Sequence, residues 1–598
     1  MVVTPSFARA WRRLADAAPF LVIGTVVAIG FARVTANAPV WDDDLLTVHN
    51  PYLRSWWGAA TLVSTDIWTA SGKAEPSSFY RPLPMLSYLV DARLFGASAL
   101  AFHAVNVALH ALNASLLFVF LRSRRLSRGL VLPLATTLLF ALAPIAVEAV
   151  AWISGRFDLL GTSFVLAALL TNRRAGAHAA ACTTLLLALA LLCKESFALG
   201  AAIVLLDDAL VLRRRFRSEL GKYLAFAAAV AAYLVARRVV GVMSIAALTG
   251  TGVHALAESF AFVLATYLRA LVDPGILDPF RPYEPFEWLG TGAVLSLVGL
   301  TAAGLGFMVR RARRSEASDP RVGAIALGMG WLILGFLPVT PTGPNLEMVG
   351  DRYAYFPLLG VFIAGCATCS LVFEAALRHA APERQLAARL TIAASLAALA
   401  LLGTEALRTE ARLVDWRDER SLFRASLRDD PGNAYALYSL GFLEAQEGDF
   451  AGAETDLGRS LARKPDAWRA LNALCYVRMH EHHLQSAERL CRESLTRNAA
   501  NPRAWINLAS VYVNDHDWDA GREAASRAMI LKPAAAEPHY LHAVCLANLG
   551  DLAGAREDLA LTLAAEPGHL GAQSLLRQFA ADGVPSGPPD ETPSAPSP

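Results

Sequence analysis

Long apolar runs broken by short arginine clusters fill the first two thirds of the chain. A 34-residue recurrence of small and large apolar positions fills the last third. Runs long enough to cross a bilayer fall near 19–35, 98–121, 130–147, 157–171, 176–193, 196–212, 220–240, 289–309, 322–338, 354–375 and 386–404. The arginine clusters are Arg9/Arg12/Arg13, Arg122/Arg124/Arg125/Arg128, Arg173/Arg174, Arg213/Arg214/Arg215/Arg217, Arg310/Arg311/Arg313/Arg314 and Arg378/Arg384. Eleven crossings put all of them on one side, the side that the positive-inside rule makes cytoplasmic. Residues 254–272 are also apolar, but a twelfth crossing would send Arg310–Arg314 to the opposite face. They are read instead as an interfacial or re-entrant helix inside an outer loop, 241–288.

In the last third, Pro431, Pro465, Pro533 and Pro567 keep a 34-residue register, with Ala499 in the remaining place. Gly441, Cys475, Ala509 and Ala543 share that register, as do Ala453, Ala487, Gly521 and Ala555. This period and its small positions match tetratricopeptide repeats: four helix pairs over about 434–567, preceded by a helix at 416–430. Such pairs bury their apolar faces only by stacking, which yields a solenoid with a concave surface. The predicted fold class is therefore all-α: a polytopic membrane helix bundle over 1–404, a tetratricopeptide-repeat solenoid over 405–580 and a disordered Pro/Ser-rich tail over 581–598.

Composition agrees with that division. Apolar residues make up 55% of the chain and charged ones 18%, a membrane protein's balance with a soluble part attached. The net charge of +2 is spread between apolar runs and not pooled on one face, which excludes a nucleic-acid partner. The arginine-flanked first run lacks a convincing cleavage site and reads as a retained signal-anchor. Cys366 and Cys369 lie inside an apolar run, where packing is the plainer role. Cys475 and Cys491 fall on facing helices of the second repeat, close enough for a disulfide in an oxidising compartment, with two buried thiols as the plainer alternative.

With eleven crossings the outer face collects the polar exceptions. The first outer loop carries Asp42, Asp43 and Asp44, then Tyr80-Arg81-Pro82. The second carries Glu148, Arg156 and Asp158, the third Lys194-Glu195, and the last Asp351-Arg352-Tyr353. Each set is open to a bland reading as a local ion pair: Glu148 with Arg156, Lys194 with Glu195, Asp351 with Arg352. Ionisable groups beside a membrane are costly unless paired or functional, and a mixture of carboxylates and cations on one face suits a site that holds a phosphate and supplies a base. His103 and His110 lie one above the other on the second run and are read mostly as helix packing; His103, nearer the outer surface, is the better candidate for contact with the site.

Several blocks together resemble a known family. Trp41-Asp42-Asp43 with Asn50-Pro51, Tyr80-Arg81-Pro82-Leu83, Phe102-His103 with Asn106 and His110, and Pro144 followed by Glu148-Ala-Val-Ala-Trp152-Ile-Ser-Gly-Arg156-x-Asp158-Leu-Leu are similar to the transmembrane and tetratricopeptide-repeat O-mannosyltransferase-like proteins. Lys194-Glu195 and Asp351-Arg352-Tyr353 continue the match. Where the family has a histidine before the Glu148 block, this chain has Ala143-Pro144-Ile145-Ala146. The resemblance implies a GT-C glycosyltransferase that takes a sugar from a polyprenyl-phosphate carrier at the outer membrane face, with a base among the first-loop acids. On that reading Asp43 is the base and Asp42 its alternate. Arg156, Lys194 and Arg352 are candidate phosphate contacts, with Glu148, Asp158, Glu195, Asp351, Tyr353, Arg81 and His103 around the substrate. A divalent metal, Mg or Mn, bridging Asp42, Glu148 and phosphate would fit the ligand chemistry, and nothing in the sequence requires it. The implied partners are the lipid-linked sugar, a protein or peptide acceptor held by the repeats, and the bilayer. The Ala/Arg-rich composition suggests a bacterial relative, in which the sugar need not be mannose, and eleven crossings from an inner membrane put the repeats in the periplasm. The rival reading is a non-catalytic membrane-anchored repeat scaffold, for which one crossing would suffice.

Overall fold

A computed structural model describes residues 5–72, 77–242, 253–282, 306, 319–339, 348–380 and 384–581. The expected run at 289–309, all but residue 306, and the expected tail beyond residue 581 lie outside the described residues. By packing, the chain divides into two units, 1–422 and 423–598.

The first unit is built of helices: α1 Pro5–Gly30, α2 Asp43–Leu46, α3 Ala59–Ser64, α4 Pro82–Phe95, α5 Ala99–Ser123, α6 Val131–Ala141, α7 Val147–Ala151, α8 Arg156–Asn172, α9 Ala177–Leu191, α10 Gly200–Leu210, α11 Phe216–Val239, α12 Val253–Val272, α13 Pro320–Phe336, α14 Leu359–Ala380 and α15 Arg384–Asp415. Among the described residues five helices are long and apolar enough to cross a membrane, and six if the bent pair at α6–α7 counts as one. Shorter apolar helices occur at Asp16–Gly30, Ala177–Leu191 and Pro320–Phe336. The bend falls where Pro144 opens a 3-10 turn between α6 and α7, since proline cannot continue the hydrogen-bond ladder of a helix.

Charged side chains gather where consecutive helices end. At one end Arg124 bonds Asp207, with Nε to Oδ1 at 3.0 Å, and Lys222 bonds Asp208 at 2.5 Å and Asn172 at 2.7 Å. This joins the C-terminal ends of α5, α8 and α10 to the start of α11. The other end gathers the outer-loop residues singled out above. The final apolar run does not stop at 404: α15 continues unbroken to Asp415, and Thr409 Oγ1 donates to Leu142 O at 2.7 Å. A two-residue antiparallel pairing, β1 Arg281–Pro282 with β2 Met348–Val349, brings Arg281 beside Asp351.

The Glu419–Asp429 helix, α16, matches the expected helix at 416–430. The second unit then stacks four helix pairs: α17 Ala434–Gln446 with α18 Phe450–Arg463, α19 Trp468–His480 with α20 Leu484–Arg497, α21 Pro502–Asn514 with α22 Trp518–Leu531, and α23 Ala536–Asn548 with α24 Leu552–Ala565. A further helix, α25 Leu570–Ala581, follows. The register explains the folding. Asp449, Asp517 and Asp551 each cap the second helix of a pair by accepting a backbone N–H three residues on, at 2.9–3.1 Å. Ser460, Ser494 and Thr562 reach back to the first carbonyl of the preceding helix, at 2.7, 2.8 and 3.4 Å. At the central contact Gly441 meets Leu457 in the first pair, and in the second the same two places are Cys475 and Cys491, joined as a disulfide with Cα atoms 5.4 Å apart.

Candidate functional site

The first outer loop is fixed to the Glu148–Asp158 block by one carboxylate. Asp43, the first residue of α2, has no exposure. Its oxygens accept from Ile153 N at 3.1 Å, Ser154 N at 2.9 Å, Ser154 Oγ at 2.8 Å and Val40 N at 3.4 Å. Burial, and then the neighbouring charge of Asp42, push the Asp43 carboxyl up to about 8, while the hydrogen bonds from Ser154 and Ile153 pull the other way. Asp42, at the N-cap position of α2, and Asp44 are partly exposed, and Asp44 pairs with His49 at 2.7 Å. Trp41 adopts a left-handed φ of 58°, unusual for a bulky residue, and its N–H donates to Glu419 at 2.8 Å. Its ring packs edge-on to Trp152, Phe280 and Trp416, with centroids 5.4, 4.5 and 6.4 Å away.

The turn that receives Asp43 tolerates little change. A Cβ on Gly155 would stand 2.2 Å from the carbonyl oxygen of Ala149, so only glycine fits. Asn106 Nδ2 donates to Trp152 O and Ile153 O, both at 3.1 Å. Arg156 is wholly buried and its guanidinium faces inward, to Asn106 Oδ1 at 2.8 Å, Phe102 O at 2.7 Å and Asp91. That position corrects the expectation of a phosphate contact at Arg156. Its donors hold the block together and leave none facing a substrate.

Glu148 is buried and pairs with Arg352, through the guanidinium and through the Arg352 backbone N–H at 3.1 Å. Arg352 lies over three rings, Tyr353 at 4.6 Å, Trp152 at 4.8 Å and Trp41 at 5.8 Å, and keeps 15% of its side chain exposed. Lys194 bonds both oxygens of Asp158, at 2.7 and 2.8 Å, and stands 5.0 Å from the centre of the Tyr353 ring. Tyr353 thus touches two cations. Asp351 takes Arg412 at 3.3 Å and Arg281 at 3.5 Å. Glu195 takes Arg81 and Arg237, each at 3.0 Å. Burial works against the Glu195 charge, but Arg81 and Arg237 hold its carboxyl below the usual range.

None of the three local pairs read from the sequence is the one that forms. Glu148 meets Arg352 and not Arg156, Lys194 meets Asp158 and not Glu195, and Asp351 meets Arg281 and Arg412 and not Arg352. A side chain one residue away commonly points elsewhere, whereas helix ends bring together groups far apart in sequence. The outcome is one end of the unit that holds Asp42, Glu148, Asp158, Lys194, Asp351, Arg352 and Tyr353, with Arg81 and Glu195 adjoining through Lys194.

No family model matches the chain. It is 27% identical over 491 residues to "Protein O-mannosyl-transferase TMTC4" of Mus musculus and 26% identical over 490 residues to that of Homo sapiens. Each alignment covers 72% of this chain and 64% of the relative. The chain is a relative of the transmembrane and tetratricopeptide-repeat O-mannosyltransferases. It spans just under two thirds of the length of these two relatives. A shorter match, 34% identical over 167 residues, is to "Protein O-mannosyl-transferase TMTC1" of Homo sapiens, covering 27% of this chain and 18% of that one. Among solved structures, a thermophilic TPR protein of Thermus thermophilus matches 29% of this chain and 93% of its own, at 18% identity and a TM-score of 0.24. The repeat assignment rests on the helix pairs themselves.

For this O-mannosyltransferase relative the structure adds residues that sequence reasoning passed over. Arg237 was signalled by an arginine pair near the end of the 220–240 run, an end that eleven crossings would put on the face opposite the other clusters. Arg281, Arg412, Trp416 and Glu419 carried no local signal, since their partners lie far along the chain. His103 is wholly buried on α5, near Arg156. Of the two residues considered for a metal, Glu148 is held by Arg352, and among the described residues no three His, Cys, Asp or Glu side chains converge.

Proposed function

We propose that this chain is a membrane glycosyltransferase of GT-C type that moves a sugar, mannose or another hexose, from a polyprenyl-phosphate carrier to a protein hydroxyl by inversion. The observation that carries the reading is the difference between the two neighbouring acids. Asp43 is buried with its oxygens taken up by four donors, whereas Asp42 stands beside it partly exposed, at the end of the unit that holds Arg352 and Lys194. A carboxylate closed off from solvent under four donors is not placed to receive a substrate's proton, so the base is Asp42, with Asp43 holding the loop in place. Asp42 removes the acceptor hydroxyl's proton as its oxygen attacks the anomeric carbon. The bond to phosphate breaks with its electrons on the lipid phosphate, whose charge Arg352 and Lys194 stabilise. Glu148 and Asp158 orient those cations, and Arg81 and Arg237 flank the path.

The topology of this reading keeps eleven crossings, an inner bacterial membrane and repeats in the periplasm. The Cys475–Cys491 disulfide supports an oxidising compartment for the repeats. The repeats, which follow the last crossing, select a protein or peptide acceptor. Purified full-length chain in nanodiscs, offered synthetic polyprenyl-phosphate sugars and a peptide library, is expected to add one hexose mass to a Ser or Thr. Failure to turn over any donor while binding a periplasmic protein would replace this reading with the scaffold one.

A further inference from the structure

α4 is apolar on both of its faces. Met85, Tyr88, Leu89 and Ala92 are buried with Leu53, Leu62, Phe102 and Phe157. The opposite side carries Val90, 42% exposed, and Leu94, 63% exposed, and the helix ends on Phe95, 64% exposed. Beside this end lies the turn of Trp56 and Trp57, 53% and 91% exposed, because Arg93 Nη1 donates to Arg54 O at 2.7 Å. Apolar exposure then continues into the crossing helix α5, along Leu100, Ala104, Ala108 and Leu112 at four-residue steps.

A helix with two apolar faces needs a second apolar environment. Fourteen residues rise only about 21 Å, too short for a hydrocarbon layer of about 30 Å, so α4 cannot cross. Contiguous exposed apolar surface on this scale marks an interaction site, and tryptophans favour the boundary between lipid headgroups and acyl chains. Arg54 and Arg93, both exposed at its rim, are placed to reach lipid phosphates.

We propose that Trp56, Trp57, Val90, Leu94 and Phe95 form a bilayer-binding surface that lies in the headgroup–acyl boundary and seats the first outer loop on the membrane. The occupant is lipid because the exposed apolar surface goes on from Leu94 and Phe95 to Leu100 and Leu112 of α5, a helix long and apolar enough to cross a membrane. Its consequence for the site is direct. On the buried side of the same helix Tyr88 donates to Ile153 O at 3.1 Å and Asp91 pairs with Arg156, so α4 sets the height of the Asp43-binding turn above the lipid. The inference rests on the chain's being a membrane protein and not on its transferring a sugar.

The test uses full-length chain in nanodiscs, with exposed Cys182 and Cys369 replaced by Ser. Spin labels are placed at Trp57→Cys or Leu94→Cys. Leu399→Cys on α15 serves as the lipid reference and Asp519→Cys on α22 as the water reference. Each variant must keep the parent's melting temperature. The ratio of collision with oxygen to collision with a soluble nickel chelate should be several-fold higher at residues 57 and 94 than at 519, approaching that at 399. A water-like ratio at both would overturn the proposal. So would immobile labels reached by neither reagent, which would mean that protein, from a second copy or from the repeats, covers the patch.

Discussion

The two units hold themselves together over different distances along the chain. In the repeats, the hydroxyls of Ser460, Ser494 and Thr562 each bond a carbonyl 26 residues back, and the Asp caps act across three residues. In the membrane unit, Glu148 reaches Arg352 over 204 residues, Arg81 reaches Glu195 over 114 and Trp41 reaches Glu419 over 378. A repeat that loses one contact still has neighbours making the same contact. The membrane unit has no such copies, and each of its pairs joins particular loops at the candidate site. Damage should therefore stay local and small in the repeats, and become large and functional in the membrane unit.

The largest stability effect is expected from Arg352→Ala. It leaves Glu148 buried without its cation, a loss of about 3–5 kcal/mol for a broken buried pair. Thermal unfolding in detergent should show a clear drop, and donor turnover should vanish with it; a variant as stable as its parent would mean that the pair is dispensable. Next comes the Cys475→Ser, Cys491→Ser double variant, or reduction of the parent. Opening a loop of this length should cost about 3 kcal/mol, read as a lower melting temperature of a 423–581 fragment. An unchanged melting temperature under reductant would mean that the disulfide adds nothing to the stability of the repeats.

A smaller effect should follow pH in the repeats. Burial pushes the half-buried Glu537 carboxyl from 4.5 up to about 7, although Arg503 and Lys532 pull it down. Between those values the folded state holds a proton that the unfolded state releases, so its stability falls as pH rises through that window. Glu537→Gln should flatten the slope in denaturant titrations of the same fragment, and an unaltered slope would assign the dependence to another group. Least of all is Asp517→Ala, which removes one cap and should cost about 1 kcal/mol. A loss several times larger would show that the repeats are less tolerant than their redundancy implies.

The same difference decides what the sequence made legible. The repeat register is written in local spacing, so the four pairs, the helix at 416–430 and the facing positions of Cys475 and Cys491 could all be read from it. Apolar runs likewise marked helices, five of which among the described residues are long and apolar enough to cross a membrane, though their extent did not follow: α15 continues beyond 404, where Thr409 bonds Leu142 O. The site was legible as a set of residues and not as a set of partners. The run Asp42-Asp43-Asp44 says nothing about which carboxyl turns inward, and a four-residue helix starting at Asp43 makes that choice. Arg156 has the composition of a phosphate contact, but Asp91 and Asn106 take up its guanidinium.

The central claim, that Asp42 reacts while Asp43 builds the site, is tested by measuring transfer and melting temperature together for Asp42→Asn and Asp43→Asn. An amide at Asp42 keeps the shape and removes the proton acceptor, so transfer should fall on the order of a hundredfold or more with the melting temperature unchanged. An amide at Asp43 sets an N–H₂ against the donors of Ile153 and Ser154, and should lower the melting temperature along with activity. An active Asp42→Asn beside a stably folded but inactive Asp43→Asn would contradict the claim and move the base by one residue.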